Sequence, residues 1–343
     1  MVMAFAVGSV VGSFLNVVIW RVPRGQSVVS PGSHCPHCDR PLVWWENVPL
    51  VSFLALRARC RTCRAPIRWR YFWVELLTAG LFAGLIRLFG ATADGLAYCV
   101  FAAALVAALG IDLEHYIIPD GVNTLALVVG IGRDAWGVVA GEPAHRLLWG
   151  WLPRSVAGAV ICAGLFVAIQ ALGLALFRKD AMGDGDVKLA RAIGAMLPLP
   201  LALVSFLFAV GAGAVIGGAA CVVRGRKSGA APVREAGSDQ EEQPGAPQPT
   251  PWRLLIVGGA LYVTFGDLVI EAANALGMRW ARRFVQWWDS QAPDDGEEPE
   301  DFVPMPTQVP FGPFMVIGAF LALVAGRPAI DWYLTWAGFI TGT

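Results

Sequence analysis

The chain has 343 residues, 56% of them hydrophobic and only 15% charged, with a net charge of zero and a mean hydropathy of +0.57. A soluble domain carries about 25% charged residues, so an ordinary water-soluble protein is excluded, and no nucleic-acid partner is expected. The apolar residues are concentrated: 1–20, 155–177 and 192–223 contain no charge at all, and an uncharged run of roughly 18 residues is long enough to cross a bilayer as a helix.

Residues 1–20 form the first expected crossing. The run has no basic segment before it, and Arg21 and Arg24 follow it, which fits a retained helix better than a cleaved signal. A soluble insertion, 21–70, comes next. It holds nine Arg against two acids, Asp39 and Glu46, and that density of positive charge beside a helix end marks the cytoplasmic side.

The same insertion holds two Cys-x-x-Cys pairs. Cys35-Pro-His-Cys38-Asp-Arg-Pro41-Leu-Val-Trp44 repeats as Cys60-Arg-Thr-Cys63-Arg-Ala-Pro66-Ile-Arg-Trp69, with each matching residue displaced by 25 positions. Disulfides are disfavoured in a cytoplasmic loop. Two thiolate knuckles facing each other instead supply the four ligands of a structural Zn²⁺ site, Cys35, Cys38, Cys60 and Cys63, with the Trp of each phrase packed beneath its turn. His34 and His37 are expected as bystanders. Cys99, Cys162 and Cys221 lie in apolar runs and read as small core residues.

Beyond the insertion, 71–223 reads as a transmembrane core with helices near 71–88, 95–111 and 120–138, then 155–177. The apolar run 189–223 is too long for one crossing, and Pro198 and Pro200 divide it in two. Residues 224–308 read as a cytoplasmic insertion: a Pro- and Gly-rich linker over 224–250, an interfacial or buried helix at 253–277, and an acidic stretch, 289–301, with seven acids and no Lys or Arg. Residues 309–343 hold the last crossing. The expected fold is an all-α polytopic membrane protein with about eight transmembrane helices and a small cytoplasmic zinc-knuckle domain. Counting crossings puts 21–70, 112–119, 178–188 and 224–308 on one side.

Two polar phrases interrupt the core: Asp112-Leu-Glu-His-Tyr-Ile-Ile-Pro119-Asp120 and Met182-Gly183-Asp184-Gly185-Asp186-Val187-Lys188. Acids inside membrane segments are functional candidates by default. Asp112 falls at the C-terminal end of its helix, where the macrodipole opposes a negative charge, and Asp186 at an N-terminus, where the dipole favours one. Gly183 and Gly185 remove side chains beside Asp186, so a substrate backbone can approach. Two carboxylates in unlike fields suit acid–base hydrolysis, with Asp186 as the ionised partner and Asp112 as the proton donor. Several neighbours have plain readings. Asp120 either caps the helix from Gly121 or joins the chemistry, Asp184 supports its neighbour, and Glu114 and His115 are solvated. Lys188 either snorkels to lipid phosphate or offsets the acids.

In chain order, Gly12-Ser13-Phe14-Leu15-Asn16-Val17, the two knuckles, the Asp112–Asp120 phrase, Gly183-x-Gly185-Asp186-x-Lys188-Leu189 and Pro310-Phe311-Gly312-Pro313-Phe314 resemble the type IV prepilin peptidases, membrane aspartic proteases of the Gly-x-Gly-Asp class. The resemblance implies a catalytic pair at Asp112 and Asp186. It implies cleavage of prepilin or pseudopilin leaders at the cytoplasmic face of the bacterial inner membrane. It also implies N-methylation of the new terminus from S-adenosylmethionine in many members with the Cys-rich domain. This chain departs from the pattern in its acidic Asp184 and in the insertion at 224–308, whose acidic stretch either attracts a basic leader or is a solvated loop. A nonenzymatic scaffold that binds a partner through its zinc domain, and a proton-coupled transporter, are the competing readings. Neither accounts for paired acids at helix ends.

Overall fold

The computed structural model describes residues 1–141, 153–177, 182–227, 252–290 and 310–336. Among these there are twelve α-helices and no strand beyond two isolated bridges. They divide into two compact units, Met1–Ala157 with Ala195–Pro198, and Gly158–Gly194 with Leu199–Thr343.

The first unit is built on α1 (Val2–Arg21), α3 (Trp69–Phe89), α4 (Ala93–His115) and α5 (Asp120–Val139). Helix α1 packs along α3, and small residues set the approach. A Cβ added at Gly8 would lie 2.8 Å from the Ala79 Cα, and one at Gly12 would lie 2.7 Å from the Glu75 Cα. Only glycine permits such contact, the usual device where apolar helices associate in lipid. Asn16, one turn below Gly12, donates to the Tyr71 carbonyl at 3.1 Å. The phrase Gly12–Val17 is thus explained as a helix-packing surface.

Helix α4 occupies the middle of this unit. About two-thirds of its apolar span is buried, against one-third for α1, α3 and α5, and its alanines, 102 to 104, 107 and 108, admit neighbours on several sides. Its N-terminus is capped by Thr92, whose hydroxyl accepts the Gly95 N–H at 3.1 Å. It ends at Tyr116 in the left-handed region (φ 58°), which returns its N–H to the Asp112 carbonyl.

Between α1 and α3 lies the Cys-rich domain, with single 3-10 turns at Val22–Arg24 and Trp44–Asn47 and the short helix α2 (Val51–Ala55). Phe53 of α2 packs edge-on against Trp69 and at a tilt against Phe72 at the start of α3, and Leu50 N–H donates to the buried Glu75 carboxylate at 2.7 Å. Aromatic and hydrogen-bonded contacts therefore tie the domain to the helix that follows it.

The second unit contains α6 (Arg154–Phe177), α7 (Asp184–Met196), α8 (Leu199–Lys227), the bent pair α9 (Trp252–Thr264) and α10 (Gly266–Ala275), α11 (Arg279–Asp289) and α12 (Gly312–Trp336). Helices α8 and α12 pack together, with Gly318 against the Ser205 backbone. Helices α6 and α7 cross so closely that a Cβ at Gly194 would lie 2.7 Å from the Cys162 sulfur. Cys99 and Cys162 are buried among apolar residues, as expected. The side chain of Cys221 lies outside the described residues, as do most of the linker at 224–250 and of the acidic stretch 289–301.

Six described helices, α1, α3, α4, α5, α6 and α8, are long and apolar enough to cross a membrane, and the α9–α10 pair raises the number to seven if it is one broken span. This is a multi-pass, all-helical membrane protein. Two expected crossings lie outside these six: the last, at 309–343, whose apolar stretch is the shorter Gly312–Gly326, and the first half of 189–223. The break falls at Pro198 and Pro200 as expected, but the helix before it, α7, has 13 residues and spans about 20 Å, short of the ~30 Å hydrocarbon core. Segment 253–277 is two helices meeting at 83°, with Phe265 in the left-handed region at the corner.

Candidate active site and metal centre

The four cysteines that could hold a metal are brought together by two turns with matching hydrogen bonds. Cys35 N–H donates to the Arg40 carbonyl and Cys60 N–H to that of Ala65; Asp39 N–H reaches back to Cys35 O and Arg64 N–H to Cys60 O. Asp39 and Arg64 hold φ near 51° and 60°, and bridges His34–Pro41 and Arg59–Pro66 close the two loops. Every feature of the first turn recurs 25 residues on, as the sequence repeat requires.

The four cysteines are free thiols, and their sulfurs all lie within 4.8 Å of one another, with Cys35 and Cys63 3.7 Å apart. A tetrahedral site with Zn–S bonds of about 2.3 Å separates its sulfurs by about 3.8 Å, so the donor set fits a metal of that kind. The N–H groups of Cys63 and Thr62 point at the Cys60 sulfur and draw its pKa down to about 6, while burial and the neighbouring thiols push that of Cys63 up to about 11, so one thiolate of the set is favoured over the others. His34 instead contacts the Gly32 carbonyl through Nδ1 at 3.0 Å. Trp44 departs from expectation. It is 81% exposed rather than packed under its knuckle, and the adjacent Trp45 receives the Arg61 guanidinium at 5.3 Å. Arg40 pairs with the buried Glu46 through two bonds of 2.8 and 3.0 Å, and its donation holds the Glu46 carboxyl below the ordinary carboxylate range.

Asp112 sits in the last turn of α4 and is 5% exposed. Nearby, Glu114 is ion-paired to Arg70 at the start of α3. Glu114 is exposed, as expected, and this surface contact links the two helix ends. Asp120 is the first residue of α5 and exposed, with Pro119 in the N-cap position.

Asp184 and Asp186 both lie in the first turn of α7. Gln170 of α6, 6% exposed, donates from one amide nitrogen to the Met182 carbonyl at 3.0 Å and to Asp184 at 3.3 Å. The turn before α7 is thus held from the side, and the half-buried Asp186 stands at a helix N-terminus with its own N–H bonded to Gly183 O. A Cβ at Gly183 would meet nothing nearer than Asp186 Oδ2 at 4.0 Å, so the space beside that carboxylate is open. Lys188 lies 5.4 Å from the Tyr262 ring centre. Asp112 belongs to the first unit and Asp186, Gly183, Asp184, Gly185 and Lys188 to the second.

Sequence reasoning missed the buried ion pair of the second unit. Arg191, 1% exposed, makes two bonds of 2.7 Å to the Asp267 carboxylate and one of 3.1 Å to the Tyr262 carbonyl. A lone Arg inside an apolar phrase was the available signal, since such a charge needs a partner. Asp134 was also missed. It is buried and accepts the Ser155 N–H at the start of α6.

An all-helical polytopic membrane protein with an acid in the last turn of one helix, a Gly-x-Gly-Asp phrase opening another, and a four-cysteine group that could hold a metal has the features expected of a membrane peptidase. The comparisons narrow it. The bacterial peptidase A24 N-terminal domain matches residues 6–89 and the type IV leader peptidase family matches 99–218. The chain is 36% identical over 325 residues to the prepilin leader peptidase/N-methyltransferase of Myxococcus xanthus, covering 95% of this chain and 90% of that protein. It is 35% identical to the type 4 prepilin-like proteins leader peptide-processing enzyme of Escherichia coli, over 60% of this chain and 80% of the relative. It is 32% identical to the prepilin leader peptidase/N-methyltransferase of Pseudomonas aeruginosa, over 65% and 81%. No solved structure matches. The chain belongs to the type IV prepilin leader peptidase family.

Proposed function

We propose that this chain removes the leader peptide of type IV prepilins or pseudopilins at the cytoplasmic face of the bacterial inner membrane, with Asp112 and Asp186 as its catalytic carboxylates. The observation that carries the assignment is helix position. Asp186 stands at the positive end of α7 beside an open glycine, and Asp112 in the carbonyl-rich last turn of α4. The first environment favours the anion and the second the acid. Ionised Asp186 takes a proton from water while its oxygen adds to the scissile carbonyl carbon, and Asp112 protonates the carbonyl oxygen. Collapse breaks the C–N bond: the proton now on Asp186 passes to the leaving amine, and a hydroxyl of the diol returns one to Asp112. Asp184 holds the turn through Gln170, and Lys188 supplies positive charge near the acids.

The Arg-rich Cys domain, 21–70, lies on the cytoplasmic side in this reading, and its four cysteines hold a structural Zn²⁺. The relatives' names also support methylation of the new N-terminus from S-adenosylmethionine. Among the described residues there is no strand and glycine-rich turn of the kind that cradles nucleotides, so no residue is assigned to that cofactor.

The test is co-expression with an epitope-tagged prepilin. The wild type converts it to the mature form, and both Asp112→Asn and Asp186→Asn leave it full length. Cleavage that survives either change defeats the assignment. The mass of the mature N-terminus reports the cut site and any methyl group together.

A further inference from the structure

The insertion that follows α8 is held against the helix that carries Asp186. We infer that α9 and α10 form a brace for α7, with Arg191 and Asp267 as positioning residues for cleavage; the inference rests on the reading of Asp186 as catalytic. Both family matches end before this segment, at residues 89 and 218.

The brace is built around a helix break. Where α9 turns by 83° into α10, the carbonyls of the last turn of α9 lose their intrahelical partners. In a membrane protein such groups are tolerated only where protein re-satisfies them. Arg191 does so at Tyr262 O. Its other two bonds go to Asp267, in the first turn of α10, where the helix dipole also favours the anion. The Phe265 ring at the corner lies 5.6 Å from the guanidinium. One turn nearer Asp186, Lys188 lies over the Tyr262 ring. Three separate features of the bend therefore converge on one side chain of α7, and a second side chain touches the same tyrosine.

Energetics point the same way. A buried guanidinium adds little net stability even when paired, and apolar isosteres often match it, whereas removing one partner is costly. A bidentate Arg–carboxylate pair instead fixes distance and angle. Arg191 lies five residues after Asp186 on a helix of 13, so rotation or sliding of α7 at Arg191 is transmitted directly to the carboxylate. Effective geometry at a reacting centre is lost by displacements of about 1 Å, at a cost of about a hundredfold in rate.

The experiment uses the full chain in proteoliposomes and a synthetic prepilin peptide, with kcat and KM measured separately. Asp267→Asn, Arg191→Met and the double variant Arg191→Met/Asp267→Leu are compared with Asp267→Glu, and thermal midpoints are recorded for each. The expected result is a fall in kcat of tenfold or more for both single variants and for the double, with KM within twofold of wild type. The double falls no further than the singles, and its thermal midpoint is closer to wild type than that of either single. Asp267→Glu recovers most of the rate.

Wild-type kcat in the double variant overturns the brace, as does a change confined to KM. Loss of folding in the double as well as the singles also overturns it, since the pair then serves stability alone. A wild type that does not cleave, or an Asp186→Asn that does, defeats the peptidase reading instead, so the two failures are distinguishable.

Discussion

Replacing Gly12 by Ala adds one methyl group to α1 at its closest approach to α3. That carbon would lie 2.7 Å from the Glu75 Cα, 3.1 Å from the Thr78 Cβ and 3.1 Å from the Val74 carbonyl oxygen. Carbon atoms in contact sit about 3.8 Å apart, so the helices must separate by about 1 Å. The first neighbour is backbone and has no rotamer by which to yield. Overpacking of this kind costs about 1–3 kcal/mol. The same movement stretches the Asn16–Tyr71 bond, now 3.1 Å, beyond useful length, a further ~1 kcal/mol. The expected loss is about 2–4 kcal/mol, read as a lowered thermal midpoint of the purified protein in detergent. Gly80, on α3 itself, is the control, because a Cβ there meets nothing within 4 Å. Gly80→Ala is expected to leave stability unchanged or raise it by up to ~1 kcal/mol. Equal effects at the two positions would refute the packing argument.

Elemental analysis is expected to find one zinc per chain, and Cys35→Ser or Cys60→Ser to release it and expose 21–68 to protease. Structural zinc sites contribute about 10–16 kcal/mol in small peptides, so a fully folded, metal-free domain contradicts the assignment. The Arg40–Glu46 pair predicts an acid-sensitive domain. Because donation from Arg40 lowers the Glu46 pKa, its stabilisation is complete above the ordinary Glu value of about 4.3 and disappears as pH falls through the lower folded-state value. Glu46→Gln flattens the pH dependence of proteolysis in that window, and identical wild-type and variant curves count against the linkage. Cleavage rate against pH is expected to be bell-shaped with two ionisations belonging to the Asp112–Asp186 pair; a single ionisation contradicts paired carboxylates.

The four-cysteine cluster was legible because it is local. Each knuckle is defined by ten consecutive residues, and the repeat at 25 positions survives unchanged in hydrogen bonds and backbone angles. The ends of α4 and α7 were legible for the same reason: polar phrases interrupt apolar ones where helices stop. The number of crossings was harder to read, because an apolar run of 35 residues, 189–223, can be divided into two crossings or into a short helix and a long one. Its two prolines mark the break without giving the length on either side. Trp44 also escaped, since a repeat in sequence matches backbone turns but not the surroundings of each copy.

Asp267 shows the limit most clearly. In the sequence it ends a charge-free run of only 13 residues and argues against a membrane segment, because hydropathy weighs each charge alone. Its partner is 76 residues away, and together the two groups nearly cancel. The consequence for α7 is mechanical. This helix is too short to be oriented by the bilayer, so its orientation must come from neighbours. Gln170 holds its first turn, the Arg191–Asp267 fork its middle, and the Gly194–Cys162 crossing its last turn. A carboxylate on a helix fixed at three levels keeps its position far better than one on a free loop. That accounts for a charged residue deep in an otherwise apolar phrase: Arg191 sits where a side chain can reach the bend, and leucine there would take the guanidinium away from both the buried Tyr262 carbonyl and the half-buried Asp267 carboxylate.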